Sequence, residues 1–577
     1  MTERKLDQEL KEKTEIEDSS EHDLPPITVS SLKLFAQKQT IKPGVITVFV
    51  GPNNSGKSQA LRDIKALCTA KEKEGYYSKV VKEIELDGLP NTKEETQIAF
   101  PGQCALSLNE ANPPEWVCSV ETYSTESGFL RFSQEDYAKI YDKDEKDRIS
   151  TKKYLMPNRL VHLTGKDRFY LVSPRKSAAS FFGTHLRLLS GVRLNKLNEI
   201  IYEFFSKYII PVRNGSNSCI LKVSDSLPDF ELMPSWVSTE ELEKQNKFYN
   251  NCPLLEDEGD GIQAAVGILS ALLVMPQTIL LIDEPEAFLS PSLARKLADK
   301  LTRLAKERRA SLFISTHSSD FLMGCVETSK KEEENDLKIV RLTHKNGFST
   351  AHEVPWKTVK EFDTNPALRS SAAIDGLFHK GTIVTEGHRD RVFYDEAARI
   401  FGLKDRKVID SGGGFKQIHK TIGPLREMGV VAAAIVDFDF LLDTDEDART
   451  SLYKSLNITS PVFSDSLDRK LKDFLEKKPK CSECGGSKEG EKHPAKKGGV
   501  KWIGFSSKDK KELTEILVNL HAKGLFIVPY GELENWLELK KGRDWDANWL
   551  SRLHNQTPDE LKEIESFYKD IKRFFEE

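Results

Sequence analysis

No apolar run in the chain approaches the roughly 20 residues that a membrane-spanning helix needs. Cysteine is sparse: eight in 577 residues, scattered apart from Cys481 and Cys484. That usage excludes a secreted disulfide framework. The opening stretch, MTERKLDQELKEKTEIEDSSEHD, is too charged for a signal peptide. An excess of one charge is also missing, with 85 basic against 90 acidic residues and a net charge of −5. Near balance neither demands nor excludes a nucleic-acid partner, so any such surface must be a local patch. Tandem repeats are absent. The expectation is a cytoplasmic globular protein with no membrane association, of about two to four domains by length.

What is present has a clear order. Residues 1–26 form a charged tail. Strand-like ITVSSLKLF follows, then VITVFV, which runs into Gly51. Residues 75–250 mix strand and helix patterns, the longest helical one at 185–209. Regular alternation returns with the apolar helix GIQAAVGILSALLVM, the strand TILLIDE, a helix, and the strand SLFIST. This predicts a parallel α/β sheet. A second α/β pattern starts near 377 with TIVTEG, KVIDSGGG, VVAAAIVDFD and GLFIVPY as strands. The C-terminus reads as an amphipathic helix with Thr557 as its N-cap.

Two strands end in acid, and each suggests a metal. The first belongs to a nucleotide site. Gly51, Pro52, Asn53, Asn54, Ser55, Gly56, Lys57 and Ser58 fit the phosphate-loop pattern in the strand-to-helix context it requires. Backbone N–H groups of such a loop face phosphates. Lys57 is expected on the β- and γ-phosphates and Ser58 on Mg2+. In ILLIDEPEAFLSP, Asp283 is expected to hold that ion through water, and Glu284 to orient and deprotonate the attacking water. His317 ends the next strand, where it is placed to sense the γ-phosphate.

These residues resemble the ABC-type ATPase head of DNA-repair and chromosome-organising proteins. DEPEAFLSP is similar to that family's Walker B and D-loop, and EDEGDGIQAAVGILSALL to its signature helix, with Asp260-Gly261 replacing the usual Ser-Gly. The resemblance implies ATP sandwiched between two heads, hence a homo-oligomer, a dimer or tetramer.

The second acidic strand end is AAAIVDFD, which carries Asp437 and Asp439. Glu386 ends an earlier strand of the same pattern. Functional groups of a parallel sheet gather at the carboxyl ends of strands. Three carboxylates meeting there need cations, and hard oxygen ligands suit Mg2+ or Mn2+. Such a centre supports phosphodiester hydrolysis. TEGHRD followed by AAAIVDFD resembles the Toprim fold, whose fingerprint is matched by Glu386, Asp437 and Asp439. The resemblance adds Asp390, Glu532 and Glu534 as metal-ligand candidates. It also implies an assisting lysine, with Lys540, Lys541 and Lys562 as undivided candidates.

An ABC head followed by Toprim resembles the overcoming-lysogenization-defect (OLD) family of ATP-dependent nucleases. The implied fold class is α/β: an ABC-type P-loop ATPase domain over 27–375 with a helical oligomerisation arm at about 185–250, then a Rossmann-like Toprim nuclease domain over 376–577. The implied activity is ATP-regulated, metal-dependent cutting of DNA in anti-phage defence, alone or with a helicase or a reverse-transcriptase (retron) element. The competing reading is an ATP-dependent DNA clamp or scaffold whose Toprim no longer cuts. Topoisomerase chemistry needs an active-site tyrosine that no sequence context picks out.

CSECGG at 481–486, with His493, offers three zinc ligands where a Zn2+ site needs four, so a cysteine-bearing loop is expected. The lysines around it, Lys496 and Lys501 among them, form a positive stretch that charge alone assigns equally to a DNA backbone or to a solvated loop.

Overall fold

The computed structural model describes residues 26–35, 40–92, 95, 107–109, 115–121, 127–132, 139, 148–154, 156–172, 189–214, 218–232, 238–274, 278–329, 336–345, 347–365, 374–442, 445–476, 494–539, 543–555 and 561–576. The charged tail, Cys481, Cys484, His493, Lys540, Lys541 and Thr557 lie outside them. No helix among the described residues is long and apolar enough to cross a membrane. The chain divides into two compact units: Met1–Val50 with Asn54–Glu353, and Val354–Glu577 with Gly51–Asn53.

The strands of the first unit are β1 (Thr28–Leu34), β2 (Thr40–Ile41), β3 (Ile46–Val50), β4 (Val81–Asp87), β5 (Ser107–Asn109), β6 (Glu115–Glu121), β7 (Ser127–Phe132), β8 (Leu160–Leu163), β9 (Tyr208–Asn214), β10 (Ser218–Ser224), β11 (Ile279–Asp283), β12 (Ser311–Ser315), β13 (Leu337–Lys345) and β14 (Phe348–Glu353). Six of them form the central sheet, in the order β14-β13-β3-β12-β11-β8. All its pairings are parallel except the β13–β14 hairpin. Strands β3 and β12 are buried at every residue, as a parallel sheet covered on both faces requires. That is why they read as unbroken apolar runs. Helix Pro291–Glu307 buries a stripe including Ala294, Leu297, Leu301 and Leu304 and packs against helix Ser319–Ser329. It starts on Ser290, whose hydroxyl accepts from Leu293 N–H, with proline next.

The stretch expected as a helical arm contains a hairpin. Helix Gly191–Phe205 is followed by antiparallel β9–β10, then by helix Thr239–Asn251. Asn198 joins helix to hairpin: its side chain accepts from Ile209 N–H at 2.6 Å and donates to Ile209 C=O at 3.1 Å. The short alternation in YIIPVRN and SCILKVS gives way at sequence level to the stronger helical signal before it.

The second unit holds β15 (Gly381–Thr385), β16 (Arg406–Asp410), β17 (Val431–Val436) and β18 (Leu525–Ile527), ordered β16-β15-β17-β18 and wholly parallel. Helices His388–Ile400 and Phe415–Glu427 follow β15 and β16. Helix Trp356–Thr364 also belongs to this unit, Thr358 Oγ1 donating to Glu427 at 2.7 Å. Helix Lys562–Glu576 buries Ile564, Phe567, Tyr568 and Ile571, spaced as one helical face. They join Phe393, Phe526, Trp536 and Trp545 in one aromatic core. The centre of the sheet is thereby fixed, with the ends of β15 and β17 side by side.

Candidate functional site

The first acidic strand end meets the phosphate loop. Gly51, Pro52 and Asn53 carry the chain from β3 into the loop, and helix Lys57–Cys68 begins behind it. Asn54 (φ 62) and Gly56 (φ 100) take left-handed backbone conformations that let the loop turn back on itself. Ser58 Oγ donates to Asp283 Oδ1 at 2.8 Å, and Ser315 Oγ donates to the same oxygen. The pair expected to share Mg2+ is thus in direct contact. Ser55 Oγ, in the loop, is buried without a hydrogen-bond partner. Lys57 is 4% exposed. Burial pushes its ammonium down to about 8 against the pull of Glu284, Asp283 and Glu286.

Glu284 has φ 51, a strained setting for a non-glycine residue. Its N–H donates to Ser315 C=O at 2.9 Å, and its own C=O accepts from Arg168 Nη2 at 2.8 Å. The fully buried Arg168 also donates to Asp283 C=O. His317 Nε2 stands 3.5 Å from Glu284 Oε1. Burial, then Lys57, lowers this imidazole to about 4. Glu286 accepts from Thr316 Oγ1 and His317 N–H, each at 2.8 Å, and burial raises its carboxyl. Arg168 and Glu286 stand outside the residues that the motifs single out. The position of Glu286, two residues past Glu284, was the one available signal. Arg168 had none, because it comes from a distant helix, Gly165–Val172.

The second acidic strand end forms a separate cluster. Glu386, Asp437 and Asp439 each offer a carboxylate oxygen, all within 4.8 Å of one another. Strand alternation does not produce this meeting. Strand β17 stops at Val436; Asp437 is extended, and Phe438–Leu441 makes one 3-10 turn that swings Asp439 back. Between the two acids Phe438 is fully buried. Asp437 N–H donates to Glu386 Oε1 at 2.8 Å. Burial first, then Asp439, raises the Glu386 carboxyl to about 7. Burial, then Glu386, raises Asp437 well above the carboxylate range.

Asp390 lies one turn into helix His388–Ile400, and its Oδ2 accepts from Gly387 N–H at 3.0 Å. It acts as a helix cap while its charge raises both Glu386 and Asp437. Glu532 also raises Asp437. Glu534 is buried in the following 3-10 turn. Lys496 Nζ pairs with Asp439 Oδ2 and stands 3.6 Å from Glu532 Oε1. None of the three lysines proposed from sequence is described at the cluster: Lys562 is exposed, and the other two fall outside the described residues. Lys496 reaches it because helix Pro494–Gly498 packs beside the Asp439 turn. The lysine-rich composition around it was the visible signal, and it was open between a DNA backbone and a solvated loop.

Asp439 Oδ1 is buried with no hydrogen-bond partner. An orphaned carboxylate oxygen beside two raised carboxyl groups fits a hard divalent cation.

Residues 190–324 match the family model described as "AAA domain, putative AbiEii toxin, Type IV TA system". The span includes Asp260, Asp283, Glu284 and His317. No curated protein matches the chain. Similar solved structures include an Smc head bound to the C-winged helix domain of ScpA, at 13% identity, TM-score 0.34, over 57% of this chain and 98% of that one. An Smc head with an extended coiled coil, bound to the C-terminal domain of ScpA from Pyrococcus furiosus, shows 11% identity, TM-score 0.32, over 60% and 100%. The SMC head domain from Thermotoga maritima shows 16% identity, TM-score 0.26, over 57% and 99%. At such TM-scores these likenesses add nothing to what the family match and the motif geometry support. On that footing, residues 190–324 are similar to an AAA-type ATPase domain, and the phosphate loop stands against their acidic strand end through Ser58 and Asp283.

Proposed function

We propose that the chain is an ATP-hydrolysing, divalent-metal-dependent DNA endonuclease of the OLD type, its second unit a Toprim nuclease domain. The observation that carries the nuclease half is the Glu386–Asp437–Asp439 cluster with its orphaned Asp439 oxygen. Glu386, Asp437 and Asp439 would hold Mg2+ or Mn2+, with Glu532 beside them. The cation, when bound, supplies a hydroxide at neutral pH and neutralises charge on the scissile phosphate. The chain's own groups do the rest. The backbone N–H of Asp437 orients Glu386. The Lys496 ammonium balances Asp439 and Glu532 and is placed to meet an anionic phosphodiester.

In the first unit, Lys57 and the loop N–H groups bind the triphosphate, and Ser58 and Asp283 hold its Mg2+. Glu284 takes the proton of the attacking water, and the neutral imidazole of His317 orients that water and the γ-phosphate. Two heads close on ATP in a homo-oligomer, and their closure governs DNA access to the nuclease centre. The anti-phage role, with or without a helicase or reverse-transcriptase partner, is proposed from the family resemblance.

The test is cleavage of supercoiled plasmid with Mg2+ or Mn2+, with and without ATP. Wild-type cutting lost in Asp437→Ala supports the nuclease reading, and Lys57→Ala then isolates the contribution of ATP. DNA binding that depends on ATP, with no cutting under any condition, would replace the nuclease with the clamp.

A further inference from the structure

Beside the second acidic strand end, a short segment is built as a braced projection. The 3-10 turn Gly499–Lys501 follows helix Pro494–Gly498. Trp502–Phe505 then makes one further turn, closed by Phe505 N–H donating to Trp502 C=O at 3.1 Å. Val500 N–H donates to Pro529 C=O at 2.9 Å, which fixes the segment to the chain leading from β18 to Glu532. Gly499, at φ 51, permits that approach, since a Cβ there would collide with the Pro529 C=O. Phe505 is 3% exposed and packs on Phe438, ring centroids 6.4 Å apart. Phe438 is the residue between Asp437 and Asp439. Trp502 meets Phe505 edge to face at 4.9 Å, and its indole covers Gly504 so closely that a Cβ at 504 would strike it. Between Trp502 and Gly504 stands Ile503, 88% exposed.

A single exposed apolar residue is ordinary. Ile503 differs in its support and its surroundings. Lys501, Lys508 and Lys511 around it are exposed, although Lys501 also pairs with Glu563 at 2.8 Å. From 501 to 511 the one acid is Asp509. It is buried, caps helix Ser507–His521 and pairs with Lys470, so the outward charge of the stretch is positive. Lysine is depleted from protein–protein interfaces. An apolar tip in a cationic rim suits a duplex instead: the lysines meet phosphates and the tip enters the base stack. We propose that Ile503 is a wedge that inserts between base pairs of DNA beside the carboxylate cluster, unstacking and unwinding the duplex there. The proposal rests on the nuclease reading of the second unit and adds how its substrate is deformed. A tip on a loose loop would yield to the stack, whereas Trp502 and Phe505 brace this one. The Phe505–Phe438 contact also ties the wedge to the turn that aims Asp437 and Asp439.

The experiment uses the full chain carrying Asp437→Ala, so that plasmid stays intact. Relaxed closed-circular plasmid is incubated with this protein and a metal-independent topoisomerase, and its linking number is read after the protein is removed. Affinity for a short duplex is measured by fluorescence anisotropy across a salt series. Ile503→Ser, Ile503→Phe and the pair Lys508→Ala with Lys511→Ala are each added to that background. The background protein is expected to shift the linking number. Ile503→Ser should abolish the shift and weaken duplex binding about tenfold, the worth of burying one such side chain. Its melting temperature should not change, because the position is exposed. Ile503→Phe should keep both the shift and the affinity. The double lysine change should keep the shift at low salt and flatten the salt slope by about two. DNA binding without a shift, or a shift that survives Ile503→Ser, would overturn the wedge and leave the nuclease reading standing on plasmid cleavage. A larger species that Ile503→Ser dissolves in the absence of DNA would assign the tip to a second copy of the chain and overturn the proposal. No DNA binding at all would overturn the DNA reading, and the wedge with it.

Discussion

Lys57 shows how one residue's burial becomes a measurable property. Its ammonium is pushed down to about 8 in the free protein. Phosphate oxygens favour the charged form, so above about pH 8 binding must first take up a proton. ATP affinity should be insensitive to this group below about pH 8. It should fall by about tenfold per pH unit above that, until the bound-state value is reached. A calorimetric pH series checks this, and a flat series to pH 10 would contradict it. Lys496 sits in the opposite circumstance. Its partners Asp439 and Glu532 raise its ammonium despite burial. Lys496→Met should therefore slow single-turnover DNA cleavage by about a hundredfold, on the scale of a lost electrostatic contact. It should also tighten Mn2+ binding, because no ammonium then competes for Asp439. Unchanged rate and unchanged Mn2+ affinity together would make the lysine a bystander.

At the scale of elements, the strained backbone of Glu284 depends on how closely two helices approach. A Cβ at Gly267 in helix Asp260–Val274 would lie 2.5 Å from the Arg168 C=O. Only glycine lets helix Gly165–Val172 sit near enough for Arg168 to hold the carbonyls of Asp283 and Glu284. Gly267→Ala should cost about 1–3 kcal/mol of stability by overpacking. It should also lower the ATPase kcat more than the KM for ATP, because Glu284 moves while Lys57 does not. Thermal melts and steady-state kinetics test the two parts separately. Most of the flanking elements were legible beforehand. Strands β3, β11, β12, β15 and β17 stand where their apolar runs placed them, because fully covered parallel strands leave an unbroken apolar signature. The β9–β10 hairpin was not legible, since its alternation is short and follows a strong helical pattern.

For the whole molecule, two compact units each carry one acidic strand end, and the proposed link between them is ATP-dependent closure of paired heads. If paired heads enclose ATP, Glu284→Gln should keep binding while slowing hydrolysis. Sedimentation should then show an ATP-dependent larger species that wild type forms only transiently. An unchanged sedimentation profile with bound ATP would remove the sandwich from the proposal.

The sequence by itself determined which polar residues stand together at each strand end: Lys57, Ser58, Asp283 and Glu284 at one, Glu386, Asp437 and Asp439 at the other. Motif spacing and the run from apolar strand to acid are local properties, and they survive in one dimension. Tertiary structure decided the partners that arrive from far along the chain. Arg168 reaches Glu284 across 116 positions. Lys496 reaches Asp439 across 57. Ser349 reaches Ser55 across 294. No periodicity links such pairs, because only packing brings them within hydrogen-bond range. The same reason explains Asp439. The sequence places it two residues from Asp437, but the 3-10 turn after β17, packed on Phe438, is what aims both carboxylates at one point.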